Sequence, residues 1–385
     1  MTIRFYKFGF LIAGGLTAIF LIPNFFADTA DRNSIAGQAL DAVVEEKVEH
    51  IKTPEAVKAI YMTSWVASTK AWRAELADFV KKSEINSIVI DIKDYTGTLA
   101  FDSDNALIKS VGSEEIRVKD LKEFIKILHD FGIYTIARIT VFQDPFYAKY
   151  NPKIAVQTKA GLTWKDRKGL SYIDPSSEEF WNYTVAVGKS AEKIGFDELN
   201  FDYIRFPSDG NMKDISFPVS SRATTTSIDL PVVKELLLEN FFKYLHKELK
   251  DIGVPISADV FGMVMTNYDG LNIGQVLERI YPYFDYIAPM VYPSHYPPTF
   301  QGFKNPAAYP YEVVKYSMEK GVGRMIAGGA SPLKLRPWLQ DFDLGATYDA
   351  TKIRAQIQAI YDAGLTSWMM WDPSNEYTRG GYNLE

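Results

Sequence analysis

The sequence predicts an α/β fold, a (β/α)8 barrel of parallel strands. Three observations predict it: eight short apolar runs at regular spacing, amphipathic segments between them, and glycines where those segments end. The strand candidates are Lys58–Trp65, Asn86–Lys93, Ile133–Ile139, Glu198–Ile204, Pro255–Phe261, Tyr286–Tyr292, Leu335–Gln340 and Thr366–Asp372. Most are rich in Ile, Val, Phe and Tyr, which suit a pleated, buried surface. Helices are expected over Trp72–Lys82, Val118–Phe131, Glu178–Ile194, Val232–Asp251, Gly274–Tyr283, Tyr311–Lys320 and Ile353–Ala363. Gly132, Gly195, Gly253, Gly321 and Gly364 stand just before the next strand, where a helix ends in a left-handed residue. The chain stops soon after the eighth strand, so the eighth helix is expected to be missing or replaced by an N-terminal helix over residues 34–50.

Domain organisation follows from the ends. Arg4 and Lys7 precede an uncharged stretch from Phe8 to Ala27, long enough to cross a bilayer. Residues 1–30 therefore read as a signal peptide or membrane anchor, residues 31–55 as a stalk or linker helix, and residues 56–385 as the barrel. This places the barrel outside the cytoplasm, anchored or secreted, with the membrane as a partner through the N-terminal segment. Long excursions follow the third strand (140–177) and the fourth (206–230), at the strand ends where such barrels build their sites.

Composition excludes several functions. With 48 acidic and 42 basic residues the net charge is −6 and no basic run stands out, so nucleic acid is not an expected partner. The absence of cysteine removes disulfides, thiolate metal sites and a thiol nucleophile. The histidines His50, His129, His246 and His295 lack metal-ligand spacing. No glycine-rich phosphate loop and no Gly-x-Ser-x-Gly elbow occurs. No metal or cofactor is expected.

Strand parity locates the chemistry. If Leu199, Phe201 and Tyr203 face the helices, Asn200 and Asp202 face the barrel interior. The same rule turns Ser257 and Asp259 inward on the fifth strand, Asp91 and Lys93 on the second, and Met290 and Tyr292 on the sixth. On the eighth, Trp371 and Asp372 take opposite parities. Asp202, Asp259 and Asp91 thus converge on one mouth. An ionised carboxylate there is costly unless it is paired, for example Asp91 with Lys93 or Asp202 with Arg205, or functional. Glycoside hydrolysis needs two carboxyl groups, one to protonate the leaving oxygen and one to attack or to activate water. Asp202 suits the nucleophile or stabiliser; Asp259 is the first candidate for the acid and Asp91 the reserve. Tyr292, Trp371 and Trp65 suit stacking on sugar rings. Lys93, Arg138, Arg205, His295, Gln340 and Asp372 complete the substrate-binding candidates.

Several stretches carry a resemblance. Tyr61-Met62-Thr63-Ser64-Trp65, Val89-Ile90-Asp91-Ile92-Lys93-Asp94, Phe201-Asp202-Tyr203-Ile204-Arg205-Phe206-Pro207, Arg336-Pro337-Trp338-Leu339-Gln340-Asp341-Phe342 and Met370-Trp371-Asp372-Pro373 resemble the "putative glycoside hydrolase domain" family over about residues 56–377. The resemblance implies a barrel glycosidase acting on a cell-surface or extracellular polysaccharide. A remoter likeness, to family-eighteen chitinases, fails at one informative place. Their Asp-x-x-Asp-x-Asp-x-Glu strand reads Asp197-x-x-Asn200-x-Asp202-x-Ile204 here, so Ile204 stands at the acid's position. The alternative to an enzyme is therefore a catalytically inactive barrel that binds carbohydrate in the cell envelope.

Overall fold

The computed structural model describes residues 48–384. Eight parallel strands close into a barrel in sequence order: β1 Lys58–Met62, β2 Ser87–Lys93, β3 Tyr134–Thr140, β4 Glu198–Asp202, β5 Ile256–Phe261, β6 Tyr286–Met290, β7 Trp338–Gln340 and β8 Trp368–Trp371. Helices α1 Lys70–Lys81, α2 Leu121–Asp130, α3 Glu178–Lys193, α4 Pro231–Leu249, α5 Leu277–Ile280, α6 Pro310–Ala327 and α7 Ala350–Asp362 connect successive strands. The predicted alternation is present throughout. The fifth helix shrinks most, because Gly274 takes a left-handed conformation and Pro282 follows at once.

Alternation along each strand sorts side chains into two apolar cores. Ile88, Ile90, Ile92, Leu199, Phe201, Ala258 and Val260 pack outward against the helices. Ala59, Tyr61, Val89, Tyr134, Ile136, Ala288, Trp338 and Met369 fill the barrel itself. Its lower end is closed by Arg336, which donates to Glu198 Oε2 at 2.6 Å, with the Tyr134 hydroxyl on the same oxygen at 3.0 Å.

Among the described residues no α-helix follows β8. The C-terminal tail fills that place between α1 and α7: Glu84 N donates to Asn383 O, and Tyr382 packs on Phe79 and Trp368. Most of the alternative replacement, residues 34–50, lies outside the described residues, as do residues 1–30. Residues 48–55 form no helix. They run beneath the strand N-termini, where Ile51 N donates to Asp197 Oδ1 at 2.7 Å. Among the described residues no helix is long and apolar enough to cross a membrane.

Candidate active site

The C-terminal mouth holds a cavity of about 480 Å³, within the range of small-molecule sites. Asp202, Asp259, Arg138, Arg205, Tyr292, His295 and Trp371 line it, all of them expected from the sequence.

Arg138 organises the floor. It stands on β3 beside Asp91 on β2 and Asn200 on β4. Its Nη1 donates to Asp91 Oδ1 at 2.6 Å, its Nη2 donates to Asp202 Oδ2, and its Nε lies 3.8 Å from Asp259 Oδ2. One guanidinium therefore faces three carboxylates, all nearly buried. The strand-neighbour pairs Asp91–Lys93 and Asp202–Arg205 do not form; Arg138 takes both acids.

The three carboxylates have different surroundings. Asp202 Oδ1 also accepts the Tyr203 N–H at 2.6 Å. Tyr203 adopts φ +53°, which ends β4 and brings the residue into the cavity lining while it still packs against the helix-side core. Asp259 Oδ1 accepts from Asn200 Nδ2 at 2.9 Å and Trp338 Nε1 at 2.8 Å. Burial pushes the Asp259 carboxyl well above the usual range, the Asp202 charge pushes it further, and Arg138 opposes both. Burial also raises Asp91, against Arg138 and Tyr61. Asp91 is outside the cavity lining, with one oxygen on Arg138 and the other accepting the Tyr61 hydroxyl at 2.6 Å. It stands behind Arg138, away from the cavity where a reserve acid was expected.

Four expected binding residues stand elsewhere. Lys93 is the clearest correction. The β2–β3 register slips between Asp91 and Lys93, so Lys93 pairs with the outward-facing Ile139. Its ammonium is buried 2.7 Å from Asp144 Oδ2 and donates to Thr140 O. Gln340 is fully buried and braces the loop after β6, accepting Ser294 N–H and O–H on Oε1. Asp372 caps the turn after β8 through Ser374. Trp65 is 57% exposed and lies outside the cavity, with Arg117 over its ring at 5.0 Å. Trp371 does line the cavity, and one of its faces is stacked on Tyr61 at 3.8 Å.

Sequence reasoning missed part of the wall: Lys168, Tyr203, Phe261, Gly262, Met263 and Tyr296. Lys168 belongs to the excursion after β3. Asp174 ties that excursion to the one after β4 by accepting Val219 N–H and Ser220 N–H. The length of the two excursions was the only signal for this part of the wall.

A closed parallel barrel with two unlike carboxylates in its C-terminal cavity meets the minimal requirement of a barrel glycosidase, and the family match supplies the class. Residues 59–377 match the family model described as "Putative glycosyl hydrolase domain", and the chain belongs to that family. It is thereby a member of a glycosidase family, as the sequence motifs implied. No curated protein matches the chain. Among solved structures, a hypothetical protein from Ruminiclostridium thermocellum ATCC 27405 is 30% identical, over 52% of this chain and 97% of that one, with a TM-score of 0.46. The glycoside hydrolase domain of PgaB (BpsB) from Bordetella bronchiseptica is 15% identical, over 86% of this chain and 100% of that one, with a TM-score of 0.61. This second likeness is one of fold.

Proposed function

We propose that the barrel hydrolyses a polysaccharide with Asp259 as general acid and Asp202 as the second carboxylate. The observation that carries this is the unequal treatment of two acids in one cavity. Asp202 is ion-paired to Arg138, whereas burial and the Asp202 charge drive Asp259 toward its protonated form. Environments that push two carboxyl groups apart assign the acid and its partner. Asp259 Oδ2 has no hydrogen-bond partner among the described residues, so a proton there is available to a leaving oxygen. Asp202 stabilises the cationic sugar ring as the bond breaks, and acts at its anomeric carbon directly or through water. We place this reaction outside the cytoplasm, on a cell-surface or extracellular glycan, because of the basic and apolar N-terminal segment.

The test is reducing-end release from a broad glycan panel by the full chain, by Asp202→Asn and by Asp259→Asn. Loss of turnover by about 10²–10⁴-fold in each, with glycan affinity retained, is expected. Wild-type kcat/KM should also fall as pH rises through the elevated Asp259 value, since the acid must start protonated. Undiminished turnover in Asp202→Asn would remove it from the reaction. Glycan binding by all three proteins without turnover would assign an inactive carbohydrate-binding barrel instead.

A further inference from the structure

The cavity is polarised in a way that two-carboxylate chemistry does not require. Its floor carries the acids and Arg138. The rest of its lining includes Arg205, Lys168 and His295. Arg205 is 93% buried by its 7% exposure, yet it has no carboxylate partner within 4.0 Å among the described residues. Asp166 and Asp209 oppose Arg205 at the Tyr172 hydroxyl, but neither forms an ion pair with the guanidinium among the described residues. Burying a guanidinium without a counter-ion is costly, and such a group is expected to have a use.

Its geometry suggests the use. The guanidinium is held between the rings of Tyr203 at 5.0 Å and Phe261 at 4.8 Å. Nη1 donates to Phe206 O and Ser208 Oγ, both at 3.1 Å. Among the described residues Nε and Nη2 have no partner, and neither is a sealed, unsatisfied nitrogen. They are open donors on the cavity wall, on a group whose plane is already fixed. A pair of guanidinium donors matches the two oxygens of a carboxylate. Lys168, also in the lining, is exposed without an ion pair among the described residues, and its charge adds to the burial that keeps the His295 ring neutral.

Resting on the glycosidase reading, we propose that the substrate is an anionic saccharide of the uronic acid class, its sugar carboxylate bound by Arg205 with Lys168 adding positive potential. The aromatic lining from Tyr203, Phe261, Tyr292 and Trp371 favours a sugar ring over a free ion. The carboxylate on the wall leaves the glycosidic bond toward Asp202 and Asp259.

The test is binding to the full chain, followed by ligand-observed NMR. The probes are methyl glucuronide and methyl galacturonide, the matching neutral methyl glycosides, glucose 6-phosphate, and acetate. The expected result is tighter binding of the uronides than of the neutral glycosides by roughly 10–100-fold at low salt. Arg205→Gln should erase that preference, with an unchanged circular-dichroism spectrum and melting temperature reporting an intact fold. Arg205→Lys should retain a smaller preference, and Lys168→Ala should reduce it several-fold. Lys168 is exposed, so that variant keeps the test usable if Arg205→Gln fails to fold. Equal affinity for uronides and neutral sugars, or a preference that survives Arg205→Gln, would overturn the proposal. Tighter binding of glucose 6-phosphate would overturn the carboxylate assignment. Acetate binding as tightly as the uronides would reduce the wall to an unspecific anion site. Turnover is read separately: hydrolysis of neutral glycans only, abolished by Asp202→Asn, sinks this inference and leaves the glycosidase standing.

Discussion

Replacing Arg138 by Met tests the organisation of the floor. The substitution keeps an extended apolar stem and removes the only cation in contact with Asp91, Asp202 and Asp259 among the described residues. The hydrogen bonds from Tyr61, Tyr203, Asn200 and Trp338 remain, but they do not neutralise charge. Stripping one partner from a buried ion pair costs about 3–5 kcal/mol. At roughly 2 °C per kcal/mol for a large domain, the melting temperature should fall by about 6–10 °C at pH 8. The loss has a definite pH dependence. Burial already raises Asp91 and Asp259, and Arg138 is the largest influence opposing it. Without Arg138 both rise further, so their folded-state values lie further above the unfolded one. The folded protein then takes up protons readily, and the penalty shrinks as pH falls toward the unfolded value of about 4. Thermal unfolding followed by circular dichroism at pH 5 and pH 8 reads both quantities. Adding Asp91→Asn to Arg138→Met should recover about 1–2 kcal/mol at pH 8, as coupling between contacting groups requires. A loss of equal size at both pH values would show that Arg138 acts by packing. A loss below about 1 kcal/mol at pH 8 would refute the buried ion-pair reasoning outright.

Two further outcomes follow from single residues. Burial raises the Asp341 carboxyl to about 6, while hydrogen bonds from Thr378 and Tyr382 hold it down. Because the folded value exceeds the unfolded one, the stabilisation is full below about pH 4 and is lost as pH rises through 6, a swing of about 3 kcal/mol. Asp341→Asn should therefore raise the melting temperature above pH 7 and give no gain at pH 4; a gain at both would contradict this. Gly262 lies where an added Cβ would meet Met290 O at 2.4 Å and the Tyr296 hydroxyl at 2.7 Å. Gly262→Ala should cost about 1–3 kcal/mol and raise KM by displacing Met290 in the cavity lining, measured by urea unfolding and steady-state kinetics.

The features legible in the sequence were those a two-residue repeat enforces. Asn200, Asp202, Ser257 and Asp259 point inward because each strand alternates without interruption, and Arg138 joins them from β3. The errors fall where alternation is interrupted. At the β2 bulge the period breaks after Asp91, and Lys93 swings outward into a buried pair with Asp144. At Tyr203 a left-handed residue ends the strand two positions earlier than its apolar composition suggests. Neither event leaves a local mark, since Ile-rich and Tyr-rich runs accept both outcomes. Asp372 and Gln340 were misread for another reason. Polar side chains at strand ends serve loop turns as readily as ligands, and only tertiary partners such as Ser374 and Ser294 separate the two uses.

The same division bears on how the site works. The floor is built on strands, whose spacing is held by the barrel ladder, and rigid elements are where reacting groups need to be. The excursion after β3 adds Lys168 to the wall, and its course depends on a few side-chain ties. Asp174, nearly buried and accepting from Val219 and Ser220, is one such tie. Lys168 reaches the cavity from one excursion and Arg205 stands just before the other. This part of the wall can therefore be remodelled by changing the excursions without disturbing Asp202 and Asp259. Members of this family that keep Asp202, Asp259 and Arg138 but differ at Arg205 and Lys168 should share the reaction and differ in the charge of the sugar they accept.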